Sequence, residues 1–168
     1  MYDFAQMTRD WADFFSALAQ VSGALVGLVF VALTFNAKKL GIGGDPMLAA
    51  LARQTFADFL LLLFVSMLML TPHVTAANVG MVLLMFVGLG LLRLLQSLFQ
   101  LRAHLRRWKL LQRFVLSAIG QLVLGWAGIE LVRGAPIAGV GSWLFAGILP
   151  LMLSGCRSAW LLVMHQED

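Results

Sequence analysis

Residues 14–35 read FFSALAQVSGALVGLVFVALTF, 22 residues without one charged side chain. A helix of about 20 apolar residues, rising about 1.5 Å per residue, crosses the hydrocarbon of a bilayer. A surface helix of a soluble protein would carry a charged face over that length. This run has none, so it reads as a membrane-spanning helix. Lipid then becomes the expected solvent for the rest of the chain.

Four more apolar runs follow. Asn36, Lys38, Lys39, Gly41, Gly43, Gly44 and Asp45 form a hydrophilic break, and Pro46 is suited to open the next helix. Thr71-Pro72-His73 ends that helix, Asn78 and Gly80 flank the next start, and Gly134-Ala135-Pro136 makes a later loop. Helices are predicted over about 14–36, 47–70, 79–101, 112–132 and 137–163. Pro150 predicts a kink in the last of them. Residues 1–13 mix Tyr2, Phe4, Met7 and Trp11 with Asp3, Asp10 and Asp13, which suits a short interfacial helix. The expected fold class is all-α: an integral membrane helix bundle of about five transmembrane helices, forming a single domain over residues 1–168.

Composition agrees. Hydrophobic residues make up 61% of the 168 and charged residues only 12%, against about 25% charged in soluble domains. The net charge is +4. Because its cations sit between apolar runs, anionic lipid headgroups are the expected partners and nucleic acid is not. The single cysteine, Cys156, leaves no internal disulfide and no cysteine-based metal site. Asp3 and Asp10 against Arg9 give the first ten residues the wrong sign for a secretory leader, so the first apolar segment is expected to stay in the mature protein.

Charge distribution predicts orientation. Lys38, Lys39 and Arg53 follow the first helix, and Arg102, Arg106, Arg107, Lys109 and Arg113 follow the third. Both groups fall on one side of a five-helix chain, with only Arg9 and Arg133 opposite. The positive-inside rule then places the basic loops in the cytoplasm, the N-terminus outside and the C-terminus inside. The basic loop after the third helix is read first as a topology determinant and lipid anchor, and second as a docking patch for an acidic partner.

Two charges interrupt the apolar runs. Asp58 and Arg93 lie at matching depths, about 18 Å from the outer surface, on sequential antiparallel helices. A charge near mid-membrane costs at least about 2.5 kcal/mol, so an intramembrane ion pair is expected, with Gln54 one turn away sharing the network. Such a pair would either orient the two helices or belong to an ion or proton path. Snorkelling of Arg93 to the interface is the third reading.

On the first helix Ser16, Gln20, Gly23, Gly27 and Thr34 share one narrow face at about 100° per residue. Gly23-x-x-x-Gly27 allows close backbone approach. The stripe reads either as a packing face, inside the bundle or between subunits, or as the wall of a water-lined pore.

The chemistry of an enzyme is missing from the pattern. His73, His104 and His165 are dispersed, with no spacing that holds haem or a divalent metal. There is no His-Glu-x-x-His, no Gly-x-Ser-x-Gly and no phosphate-binding glycine loop. No cofactor and no metal is expected, and no catalytic residue.

The first helix contains Asp13-Phe14-Phe15, Ser22-Gly23-Ala24-Leu25-Val26-Gly27-Leu28, Phe30-Val31-Ala32 and Asn36, and the fifth ends Ser154-Gly155-Cys156-Arg157-Ser158-Ala159-Trp160. Together these resemble a family of small bacterial multi-pass membrane proteins of no established function, some of them loosely described as modulators of a membrane AAA protease. The resemblance implies a bacterial inner-membrane location and supplies no catalytic residues. Two functional expectations follow: a homo-oligomeric ion channel or pore, or a non-conducting scaffold or regulator that binds another membrane protein.

Overall fold

The computed structural model describes residues 4–35, 46–101, 107–134 and 137–164. Six helices occur among them: α1 (Phe4–Asp10), α2 (Ala12–Phe35), α3 (Pro46–Leu70), α4 (Ala76–Leu101), α5 (Arg107–Arg133) and α6 (Ile137–Met164). Five are long and apolar enough to cross a membrane, with spans at Ala12–Phe35, Ala52–Leu70, Ala76–Gln96, Val115–Arg133 and Gly139–Trp160. Among the described residues the architecture is all-α, as expected, and five of its helices could span a membrane.

Local chemistry accounts for where the helices start and stop. Pro46 opens α3, where its missing N–H costs nothing. Pro72, two residues past the end of α3, cannot continue it, and His73 takes left-handed backbone at φ 61° in the turn that follows. Helix α4 starts at Ala76, three residues before the expected boundary, because the Thr75 hydroxyl accepts a hydrogen bond from the Asn78 N–H at 3.3 Å and caps it. Gly134, at φ 70°, closes α5 by donating its N–H to the Leu131 carbonyl. Helix α6 runs unbroken through Pro150.

One boundary differs more. Helix α5 begins at Arg107 rather than near 112, so Arg107, Lys109 and Arg113 belong to its first turns and not to a loop. The segment Arg-Trp-Lys-Leu-Leu-Gln-Arg consists largely of good helix formers, which extend the helix beyond its apolar part. Lys38, Lys39, Arg102 and Arg106 lie outside the described residues.

Helices α3, α4, α5 and α6 form a closed ring, each packed on the next and α6 returning to α3. Helix α2 lies outside the ring, against α3, and α1 touches α2 and α6. Glycines set the tightest crossings. Gly80 of α4 meets Gly128 of α5, and Gly120 of α5 meets Gly147 of α6, each so close that a Cβ would strike backbone or leucine side chains. Lipid tails give apolar helices no reason to seek each other, so close packing of this kind holds them together. Trp11, Phe14, Phe15 and Phe145 make an aromatic cluster, with Trp11 and Phe14 edge-on at 5.5 Å, that ties the α1–α2 corner to α6.

Large apolar side chains cover the outside as well as filling the core, and a polar cluster lies inside. Leu28 is 65% exposed and Phe35 81%, whereas Asp58 is 1% exposed and Ser117 0%. Trp126, Trp143 and Trp160 also face outward, toward segment ends, as expected of interfacial anchors. An apolar exterior enclosing a buried carboxyl fits a hydrocarbon surround.

A candidate functional site in the core of the bundle

Two helices carry polar side chains one turn apart on their inner faces. On α3 these are Gln54 and Asp58, and on α5 they are Ser117 and Gln121. Spacing of four residues stacks each pair on one side of its helix. The two pairs meet across the ring, although α3 and α5 are not neighbours in it. Ser117 donates its hydroxyl proton to Asp58 Oδ1 at 2.7 Å. Gln54 Nε2 donates to the same Oδ1 at 2.9 Å and to Ser117 Oγ at 2.8 Å. Gln121 Nε2 approaches Ser117 Oγ at 3.5 Å. Ser154 of α6 also faces the carboxyl, and Gly90 of α4 lies against the Gln121 amide. All four helices of the ring thus contribute to the site.

The hydrogen bonds are unevenly shared. A serine hydroxyl has one proton and a primary amide two. Ser117 spends its proton on Oδ1, and Gln54 divides its two between Oδ1 and Ser117. Two acceptors in the same cluster, Asp58 Oδ2 and Gln121 Oε1, have no hydrogen-bond partner among the described residues. Both side chains are buried, Gln121 being 2% exposed. Buried acceptors of this kind are rare in native proteins and ask for an explanation.

Of the expected pair, Asp58 and Gln54 come together and Arg93 does not join them. Arg93 is exposed. Matching depth is not enough, because two side chains must also share an azimuth. Leu94, the next residue, is buried, which turns Arg93 about 100° away from the inner face of α4. Its side chain therefore lies on the outer surface, where snorkelling is open to it. Arg93→Ala is expected to change stability by no more than about 0.5 kcal/mol. In a double-mutant cycle with Asp58→Asn the effects should add, and a coupling energy above about 1 kcal/mol would restore the pair.

The structure places the α2 stripe equally plainly. Phe15, Leu18, Ser22 and Val29 form the buried face of α2, and the stripe lies about 140° around the helix from them. Gln20, Gly27 and Thr34 are exposed and Ser16 and Gly23 half-buried. A Cβ on Gly27 would meet nothing within 4 Å. Gln20 Nε2 donates to Ser16 Oγ at 3.4 Å, and Thr34 Oγ1 donates to the Val31 carbonyl at 2.7 Å. Only Gly23 of the stripe comes near another helix, where a Cβ would lie 4.0 Å from Leu63 Cδ1 of α3; the rest makes no close crossing within the protomer.

No family model, characterised protein or solved structure matches this chain. The site must be read from its own chemistry.

Ser117, Gln121 and Ser154 were not among the expected site residues. Single serines and glutamines in apolar runs are commonplace, so none of them stands out alone. The usable signal was the repeated spacing: Gln54-x-x-x-Asp58 on one helix and Ser117-x-x-x-Gln121 on another.

Proposed function

We propose that the chain is one subunit of a homo-oligomeric channel for small ions in a bacterial inner membrane, with the polar face of α2 turned toward the assembly axis. The observation that carries this reading is the outward position of Gln20, Gly27 and Thr34 on a span of which only 17% is buried. An amide exposed to hydrocarbon is unfavourable by several kcal/mol on alkane scales. Copies packed through this face would cover it, and water along a central path would solvate it. The glycines would let neighbouring α2 helices approach closely. Cations before α3 and at the start of α5 favour an orientation with those segments in the cytoplasm, the N-terminus outside and the C-terminus inside.

Native mass spectrometry in mild detergent, paired with ion flux into proteoliposomes, tests the reading. A ring of fixed stoichiometry that conducts is expected. Gly27→Leu should weaken the ring. In a Cys156→Ala background, thiol modification of Gln20→Cys should block flux. The same uncovered face supports a second reading, a non-conducting scaffold that holds a helix of another membrane protein. A monomer without flux would favour that reading over a channel.

A further inference from the structure

The polar core lies inside the protomer, away from the α2 face, and whatever it does is independent of how copies assemble. Asp58 sits 1% exposed, and among the described side chains no cation lies beside it: Arg53, Arg93 and Arg157 are all exposed. The groups around the carboxyl are neutral, namely Gln54, Ser117, Gln121 and Ser154. Among the described residues neither Asp58 Oδ2 nor Gln121 Oε1 has a hydrogen-bond partner. A single positive charge in the cluster would answer both deficits, neutralising the carboxylate and occupying the two free oxygens.

We propose that Asp58, Gln121 and Ser154 bind one small monovalent cation of the sodium and lithium class. The donor set is all oxygen, the preference of hard cations. With only one carboxylate, a divalent ion would leave a net charge in a medium of low dielectric, whereas a monovalent ion leaves none. Helix packing restricts the size. Next to Asp58 and Ser154, Phe59 of α3 presses on Gly155 of α6 so closely that a Cβ there would lie 2.6 Å from the ring. That contact holds α3 and α6 together and favours a small ion over potassium. Dehydrating the ion is offset by the carboxylate and by side-chain dipoles already ordered by packing.

The test uses the full chain, purified in detergent and in nanodiscs. Melting temperature is followed during titration with sodium, lithium, potassium and choline chlorides at constant ionic strength and constant alkaline pH, then over a pH series without sodium, and binding of radioactive sodium is measured in parallel. Sodium and lithium should stabilise saturably and potassium and choline should not, with about one sodium bound per chain. Asp58→Asn, of nearly the same shape, should abolish both signals. Gln121→Met, which keeps the volume but removes Oε1, should raise the half-saturating sodium concentration at least about tenfold, a differential of about 1.4 kcal/mol. Asp13→Asn, at an exposed position, should leave both signals unchanged. Equal stabilisation by choline, a sodium response that survives Asp58→Asn, or a melting temperature moved by pH alone with sodium inert would overturn the proposal. The last result would make the proton the natural occupant. Absence of flux in liposomes would count against the channel reading and not against this site.

Discussion

Gly80→Val is expected to force α4 off α5 and to destabilise the bundle by about 3 kcal/mol. A Cβ at that position would stand 2.7 Å from the Gly128 carbonyl oxygen, 2.8 Å from Val132 Cγ2 and 3.0 Å from Leu131 Cβ. The first obstacle is backbone, which cannot rotate aside, and a valine adds two methyl groups to the same gap. Only separation of the helices relieves the overlap, and separation forfeits the packing on which helix association in lipid rests. Gly88 supplies the control. It lies on the same helix, yet a Cβ there meets nothing within 4 Å. Gly88→Val should therefore stay within about 0.5 kcal/mol of the parent. Unfolding titrations in mixed micelles compare the two. Equal losses would mean that the α4–α5 crossing is looser than its geometry implies.

The second large effect is expected from a single hydroxyl. Ser117 is bonded to three side chains at once: it donates to Asp58 and accepts from Gln54 and, at longer range, from Gln121. Ser117→Ala deletes the shared partner, strips one donor from the carboxylate and leaves two amide N–H groups without that acceptor. Each buried group left unsatisfied costs about 1–3 kcal/mol in water-soluble proteins. Hydrogen bonds between membrane helices average nearer 0.6 kcal/mol, because the separated helices find other partners. With one carboxylate contact and two amides affected, a loss of about 2 kcal/mol is expected. Ser66→Ala is the matched control: Ser66 is equally buried, but its hydroxyl returns to the Leu62 carbonyl of its own helix at 2.8 Å. That bond links no helices, and its loss should cost well under 1 kcal/mol. If both alanine variants melt together, the polar core adds nothing to holding the bundle closed.

The five spans were legible because bilayer thickness translates directly into a length of apolar sequence. Turns were legible from Pro46, from Thr71-Pro72-His73 and from Gly134, whose backbone preferences are local. Azimuth was less so. The depth of Arg93 can be counted along the chain, but the side of α4 it occupies depends on which neighbours α4 finds. The α2 stripe could be recognised as a face, yet its direction was decided by α3, which packs on Phe15, Leu18 and Val29 instead. The polar core was half visible. Asp58 and Gln54 declare themselves by charge and spacing, whereas Ser117, Gln121 and Ser154 acquire meaning only when three helices converge on one carboxyl. The basic stretch after α4 was found by its charge, and its partial conversion into the start of α5 follows from helix propensity that a charge count ignores.

Ser154 belongs to α6, the last of these helices to leave the ribosome. Until that helix docks, the ring is open along one seam, and the carboxyl of α3 has lost one of its walls. Vectorial synthesis thus delivers the acidic helix to the membrane well before its enclosure is complete. The nascent chain must either linger in the wet interior of the insertion machinery or tolerate an acid facing acyl chains.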